Sequence, residues 1–301
     1  MGTPAFALPS LKKLIDNSYT PVCVVTVPDK PAGRGRRIEQ SPVKLFAAER
    51  NIPVLQPEKL KDPVFIGQLR DASPDLFVVV AFRILPPEVF TIPAMGAFNL
   101  HASLLPKYRG AAPINWAIIN GETVTGVTTF FLKETVDTGS VILQARIPVG
   151  EDDTAGTVHD RLSEVGAEVV LLTVRLIENG KANPVEQDAS AASPAPKIFT
   201  EDCRIRWDVD ARKVHNFIRG LSPRPGAWTM CGETTLKIYR SKVEQEPASR
   251  PAGTLSGTNG RLLVAAAGGT VEILEIQQEG KKKLPAADFL RGFDVDGKKF
   301  S

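Results

Sequence analysis

The sequence is poor in the residues that build metal centres and covalent staples. Its three cysteines, Cys23, Cys203 and Cys231, are far apart and odd in number. They offer neither a disulfide framework nor a zinc-ligand spacing. Only three histidines occur, none clustered with cysteine, so no metal is expected. No run of about 18 apolar residues is available to cross a bilayer, and no charged-then-apolar leader opens the chain. We therefore expect a cytoplasmic protein that does not engage a membrane. No Gly-x-Gly-x-x-Gly marks the first turn, which argues against a dinucleotide cofactor. No internal repeat is present.

What remains is ample for a folded enzyme. A chain of 301 residues with 43% hydrophobic content suits two domains. Gly2-Thr3-Pro4 looks like a strand-to-helix turn, with Thr3 as cap and Pro4 in the first helical turn. Continuous apolar segments at 21–27, 52–55, 76–82 and 98–101 read as buried strands. They alternate with helical patterns at 6–15, 42 onward and 62–72, which predicts an α/β fold with a doubly wound, mostly parallel, Rossmann-like sheet. Helices are also predicted at 114–119 and 154–178, with His159 beside the latter's apolar stripe in a structural role. Residues 126–132 and 141–149 read as a hairpin. The Ala/Ser/Pro-rich stretch near 189–196 has linker composition. Beyond it come a helix at 210–221 and short strands near 227–230, 236–243, 261–266 and 271–276, the spacing of a small β-barrel. We thus divide the chain into a domain at 1–188, a linker at 189–202 and a barrel at 203–301.

Charge divides unevenly between these parts. Residues 203–301 hold 17 Lys+Arg against 11 Asp+Glu, a net +6, whereas residues 1–202 carry −3. A basic C-terminal third on an acidic body suits a polyanionic partner, although a solvated surface has the same composition. The loop 29–37 contains Lys30, Arg34, Arg36 and Arg37 with glycines at 33 and 35. Arginine forks and close-approaching glycine backbone suit a phosphate chain, and equally a plain surface loop.

One stretch concentrates chemistry: Phe98-Asn-Leu-His-Ala-Ser-Leu-Leu-Pro-Lys-Tyr-Arg-Gly110. Residues two apart on a strand share a face, so Asn99 and His101 point the same way where the strand ends. Strand ends of open α/β sheets are where ligands bind. A carboxamide and an imidazole suit a carbonyl whose oxygen gains charge during attack. Asp137, in Asp137-Thr138-Gly139, supplies a carboxylate able to orient the histidine. With no positioned nucleophile, the substrate itself is expected to attack. Ser103 has no Gly-x-Ser-x-Gly elbow and shares a strand end with its only base, which excludes a serine hydrolase. Spacing alone also allows a satisfied strand-end histidine and an ordinary Asp-Thr-Gly turn.

The run from Asn99 to Ile114 together with Glu134-Thr-Val-Asp-Thr-Gly139 resembles the folate-dependent formyltransferases. The resemblance extends over Asp29-Lys-Pro-Ala-Gly-Arg-Gly35, Pro196-Lys-Ile-Phe-Thr-Glu-Asp202 and Ile218-Arg-Gly-Leu-Ser-Pro-Arg-Pro-Gly-Ala227, nearly the whole chain. It implies that Asn99, His101 and Asp137 form a catalytic triad, with Asn99 and His101 stabilising an oxyanion. It further implies that Ser103, Leu104, Leu105 and Pro106 help hold the folate. The implied donor is 10-formyltetrahydrofolate, released as tetrahydrofolate, and the implied acceptor is the α-amine of methionyl-initiator-tRNA. The loop carrying Arg34, Arg36 and Arg37 would enter the tRNA acceptor end. Lys197 is a weaker candidate for backbone contact. The C-terminal domain would be an oligonucleotide-binding (OB)-like barrel, and a monomer is expected. Glycinamide ribonucleotide, sugar nucleotides and water are acceptors used elsewhere in this superfamily, and those small acceptors need neither a basic appended domain nor an Arg-rich loop. The family also places an apolar strand directly before the turn at Gly2-Thr3-Pro4, where this sequence has only Met1. A gap in the sheet is expected there.

Overall fold

Side-chain caps and prolines set where several helices start. Ser41 Oγ accepts the Lys44 N–H at 3.1 Å with Pro42 next in line, and Asp62 Oδ1 accepts the Val64 N–H at 2.9 Å ahead of Pro63. Each cap satisfies a donor that the first helical turn leaves without a partner. The structure, a computed structural model, describes residues 1–32, 37–244, 250–295 and 297–301. In chain order it begins with helix α1 (Leu8–Asp16), strand β1 (Val24–Val25) and the paired strands β2 (Lys30–Ala32) and β3 (Arg37–Glu39). Helix α2 (Pro42–Ala48), β4 (Val54–Leu55), α3 (Pro63–Asp71), β5 (Phe77–Val80), α4 (Pro87–Phe90) and β6 (Ala97–His101) follow. Next come α5 (Pro113–Ile119), β7 (Val124–Phe131), β8 (Val141–Pro148) and α6 (Ala155–Glu178). The last third holds α7 (Ala211–Leu221), β9 (Ala227–Cys231), β10 (Thr234–Glu244), β11 (Leu255–Thr258), β12 (Arg261–Ala266), β13 (Gly269–Gln278), β14 (Lys283–Pro285) and α8 (Ala286–Leu290).

The chain gathers into two units. One comprises Met1–Gly110, Gly126–Ile147 and His159–Pro194; the other comprises Ala111–Thr125, Pro148–Val158 and Ala195–Ser301. Two segments from earlier in the chain therefore pack with the C-terminal third. The reason is visible at α5, where Asn115 Nδ2 donates to Gly220 O at 2.7 Å. A Cβ at Gly220 would lie 2.6 Å from Ile119 Cγ1, so only glycine lets α7 approach α5 this closely. The Ala/Ser/Pro-rich stretch is tied down rather than free. Arg109 N–H donates to Ser193 O at 2.9 Å within the first unit, and Ala112 N–H donates to Ala195 O at 3.1 Å within the second.

The first unit is a layered α/β fold. Strands β1 and β4 pair in parallel, as do β5 and β6; β7 then runs antiparallel to β6, and β8 lies outside it. Buried, β-branched Val79 and Val80 suit a strand covered on both faces. On β8 exposure alternates along the strand, as in a sheet with one wet face. Among the described residues, Met1 and Gly2 span the sheet between β1 and β5. Gly2 N–H donates to Val25 O at 3.0 Å and Val80 N–H donates to Met1 O at 2.9 Å. Beside them lies a cavity of about 310 Å³ lined by groups including Leu14, Val24, Leu69, Phe77 and Met95.

The second unit is antiparallel. Its sheet runs β11–β12–β13–β10–β9, with β14 on β13. Register shifts around Arg240 bend β10 in its middle. The two outer edges are joined by the last residues: Phe300 bridges Cys231 at the end of β9, and Lys299 bridges Thr254 beside β11. Met230 and Ser301 exchange both backbone hydrogen bonds at 3.0 Å, which removes an open edge. Inside lie Trp207, Ile218, Leu236, Leu262, Ile273 and Phe300. Strands β11 and β14 and helix α8 are short elements that sequence pattern did not reveal.

Candidate active site

The site grows from β6. Its register is fixed on both sides, with Asn99 opposite Val79 on β5 and Phe130 on β7, and His101 opposite Thr128. Alternation then sends Asn99 and His101 to one face at the strand's C-terminal end. The Asn99 side chain is half-buried, and among the described residues its carboxamide has no hydrogen-bond partner. His101 is only 6% exposed. Its Nε2 lies 2.8 Å from Tyr108 O. A carbonyl only accepts, so Nε2 carries the proton and Nδ1 of the neutral ring is bare.

Asp137 faces that bare nitrogen. Its Oδ2 is 3.8 Å from His101 Nδ1 and accepts the Gly110 N–H at 2.9 Å. Asp137 has φ = 55°, a left-handed backbone that Asp adopts more readily than most residues. Asn99, His101 and Asp137 all belong to the first unit, and the His101–Asp137 approach expected from sequence is present. A carboxylate cannot donate to a bare nitrogen, so no hydrogen bond joins the two atoms at this distance.

The segment after β6 is a rigid ledge. Thr128 Oγ1 donates to Ser103 O at 2.6 Å and accepts from Leu105 N–H at 3.1 Å and Gln144 Nε2 at 3.0 Å. Gln144 Nε2 also donates to Leu105 O at 2.7 Å, and Ser103 Oγ donates to Lys107 O at 2.7 Å. Ser103 and Leu105 are buried, whereas Leu104 and Pro106 are half-exposed. Of these four residues, only Leu104 and Pro106 keep exposed side-chain surface, while the buried Ser103 and Leu105 are held inside the ledge.

Sequence pattern missed Thr128, Gln144, Arg109 and Gln187. Each acts through a polar side chain that reaches residues distant along the chain, which leaves no local spacing to read. Of the basic candidates, Arg34 and Arg36 lie outside the described residues, and Arg37 is described only for its backbone in β3. The base of that loop is held by Asp29, whose carboxyl the Lys44 ammonium and then the Gln56 amide keep below its usual range. Lys197 is exposed and belongs to the second unit, with Nζ 5.0 Å from the Phe199 ring centroid. His159 packs against Phe6 with ring centroids 5.1 Å apart, the structural place expected of it. Among the described residues no group of three or more His, Cys, Asp or Glu is placed to hold a metal, and no helix is long and apolar enough to cross a membrane.

Known proteins match this arrangement along the whole chain. Residues 1–174 match the formyl transferase family and residues 197–294 match the formyl transferase C-terminal domain. A methionyl-tRNA formyltransferase of Bacteroides thetaiotaomicron is 50% identical, covering 100% of this chain and 97% of that protein. One from Pelotomaculum thermopropionicum is 48% identical, covering 97% and 94%. Among solved structures, the sugar 3N-formyltransferase WlaRD, determined with dTDP and 5-N-formyl-THF, has a TM-score of 0.69 at 22% identity, covering 93% and 97%. HypX from Aquifex aeolicus in complex with tetrahydrofolic acid has a TM-score of 0.61 at 24% identity, covering 84% and 44%. These two show the shared fold; the full-length identity above them shows the kinship, and the chain belongs to the methionyl-tRNA formyltransferase family of formyl transferases.

Proposed function

We propose that this chain moves the formyl group of 10-formyltetrahydrofolate to the α-amine of methionine carried on initiator tRNA, working as a cytoplasmic monomer without a metal. The observation that carries this reading is the Asn99 carboxamide, without a hydrogen-bond partner among the described residues, on the same strand end as the His101–Asp137 pair. The folate supplies an activated formyl carbon; everything else is the protein's task. Leu104 and Pro106, on the ledge fixed by Thr128 and Gln144, are the side chains that would lie against it. Asn99 Nδ2 donates to the formyl oxygen as that oxygen gains charge.

An α-amine has a reference pKa of about 7.7–8.0, so a usable fraction is neutral and needs positioning more than activation. His101 Nδ1 takes the proton that the attacking amine sheds. Asp137 then has a donor to accept from, and its carboxylate stabilises the imidazolium. The same proton goes on to the departing folate nitrogen, so the pair begins and ends each turnover in one state. Held by Tyr108, His101 Nε2 keeps the ring from turning away. This assigns the oxyanion to Asn99 and the proton to His101, a sharper division than strand spacing alone suggests. Arg34, Arg36, Arg37 and Lys197 are assigned to the tRNA.

The test is formyl transfer with initiator Met-tRNA, elongator Met-tRNA and glycinamide ribonucleotide as competing acceptors. Preferential formylation of initiator Met-tRNA is expected. Preference for the ribonucleotide, or folate hydrolysis without transfer, would overturn the assignment.

A further inference from the structure

Three consecutive residues, Tyr108, Arg109 and Gly110, aim the whole catalytic pair. Tyr108 O receives His101 Nε2–H, and Gly110 N–H holds the Asp137 carboxylate. Arg109 acts through Gln187. Its Nε and one terminal nitrogen donate as a fork to Gln187 Oε1, at 3.2 and 2.7 Å. Gln187 Nε2 in turn donates one hydrogen to Asp137 O at 2.9 Å and the other to Gly139 O at 2.8 Å. Every donor and acceptor position of that carboxamide is therefore used.

The turn it grips is otherwise tied by Thr138 Oγ1, which donates to Thr135 O at 2.8 Å, and by the Asp137 carboxylate on Gly110. Residues 133–136 are exposed, and Asp137 sits in the left-handed region. Gly139 is pressed so close to Phe131 that a Cβ there would lie 1.6 Å from its carbonyl oxygen. Gln187 bridges the carbonyls on either side of Thr138, while Val185 and Val141 exchange backbone hydrogen bonds at 2.7 and 2.8 Å just before it. The carboxamide thus sets where the Asp137 backbone stands, and with it the 3.8 Å approach of the carboxylate to His101.

We infer that Gln187, held by Arg109, is a positioning residue for the proton-handling pair, acting through Asp137 and touching neither substrate. The inference rests on the formyl-transfer reading above. Gln187→Glu separates its functions: the acceptor for Arg109 is kept, both donors are lost, and a carboxylate then faces two carbonyls. Single-turnover formylation by Gln187→Glu is expected to fall about 10–100-fold, with the KM for Met-tRNA within twofold of wild type. Because the residue acts through the Asp137 carboxylate, Asp137→Ala and the double variant should show the same rate, the non-additivity of groups that work as one unit. Gln187→Asn, shorter but with both donors, should recover part of the loss.

Two results overturn the proposal: a Gln187→Glu rate equal to wild type, or a double variant slower than Asp137→Ala by the same factor that Gln187→Glu shows alone. The second outcome would mark a purely structural role. Failure of the wild-type protein to formylate Met-tRNA at all would instead remove the underlying reading.

Discussion

Two histidines in this molecule are built almost alike and differ at one ring nitrogen. His101 and His215 are both buried, at 6% and 4% exposure. Each places Nε2 on a backbone carbonyl, Tyr108 O at 2.8 Å and Glu151 O at 3.1 Å respectively. They differ at Nδ1. His215 meets the Ser241 hydroxyl at 3.0 Å, which donates to the bare nitrogen and completes a neutral ring. His101 meets a carboxylate at 3.8 Å, which has nothing to donate. The first ring has a hydrogen-bond partner at both nitrogens; the second has one at Nε2 and a carboxylate 3.8 Å from Nδ1. The two rings thus differ in a single partner atom, not in burial, and on the proposed mechanism that atom is what leaves His101 able to handle a proton.

The largest expected effects come from breaking the His101 site. Asn99→Ala, His101→Ala and Asp137→Ala should each cost at least about 10²–10³ in single-turnover rate, the scale of losing one oxyanion donor. Melting temperatures should change little for Asn99→Ala, because among the described residues that carboxamide has no hydrogen-bond partner. Any of the three that keeps near wild-type turnover is thereby removed from the mechanism.

The His215 site should respond in the other currency. His215→Ala strips partners from the buried Ser241 hydroxyl and from the carbonyl of exposed Glu151, and the hydroxyl left unpaired costs about 1–3 kcal/mol. Formylation well below the melting temperature should be unaffected. Ser241→Ala is the smaller version, leaving only His215 Nδ1 unpartnered, and should destabilise by about 1–3 kcal/mol. Urea titration and single-turnover assays on the same preparations separate the two effects. A rate loss without a stability loss in either variant would end the contrast.

Much of this contrast was readable in the sequence, but only on one side. Strand alternation put Asn99 and His101 on one face and the Gly-containing turn offered the Asp137 carboxylate, but spacing alone left ordinary structural roles open, and only the family resemblance joined the three into one candidate site. Nothing local announces Ser241 as the partner of His215, 26 residues away and across the inside of a sheet. The same holds for Gln187, whose grip on Asp137 spans 50 residues. Strand alternation was enough to place the long strands β10, β12 and β13. It did not show that the last residues join the sheet's edges, since Lys299–Phe300 carry no pattern of their own. The packing of α5 with the C-terminal third was equally hidden, because it depends on Gly220 being small rather than on any apolar stripe.

The smallest prediction is a pH dependence carried by the His215 ring alone. Burial, above all, holds the His215 imidazole below its usual value, with Arg219 and Arg212 pushing the same way against the Glu151 carbonyl and Asp152. The folded state therefore declines a proton that the unfolded chain accepts. As pH falls through about 6.5, the unfolded reference value for histidine, the unfolded state binds more protons and stability must decrease. The stabilisation from the neutral ring is fully present above that pH and is lost below it, by at most about 1.36 kcal/mol per unit until the folded ring also titrates. Carboxylates add their own slope, so the quantity to measure is the difference between wild type and His215→Gln. Glutamine can still donate to Glu151 O and accept from Ser241, yet takes up no proton. Urea midpoints at pH 7.5, 6.5 and 5.5 should show wild type losing its advantage over His215→Gln as the solution is acidified. A difference that stays constant across the three pH values would show that the folded ring accepts its proton as readily as the unfolded one, and the distinction between the two histidines would then have to rest on geometry alone.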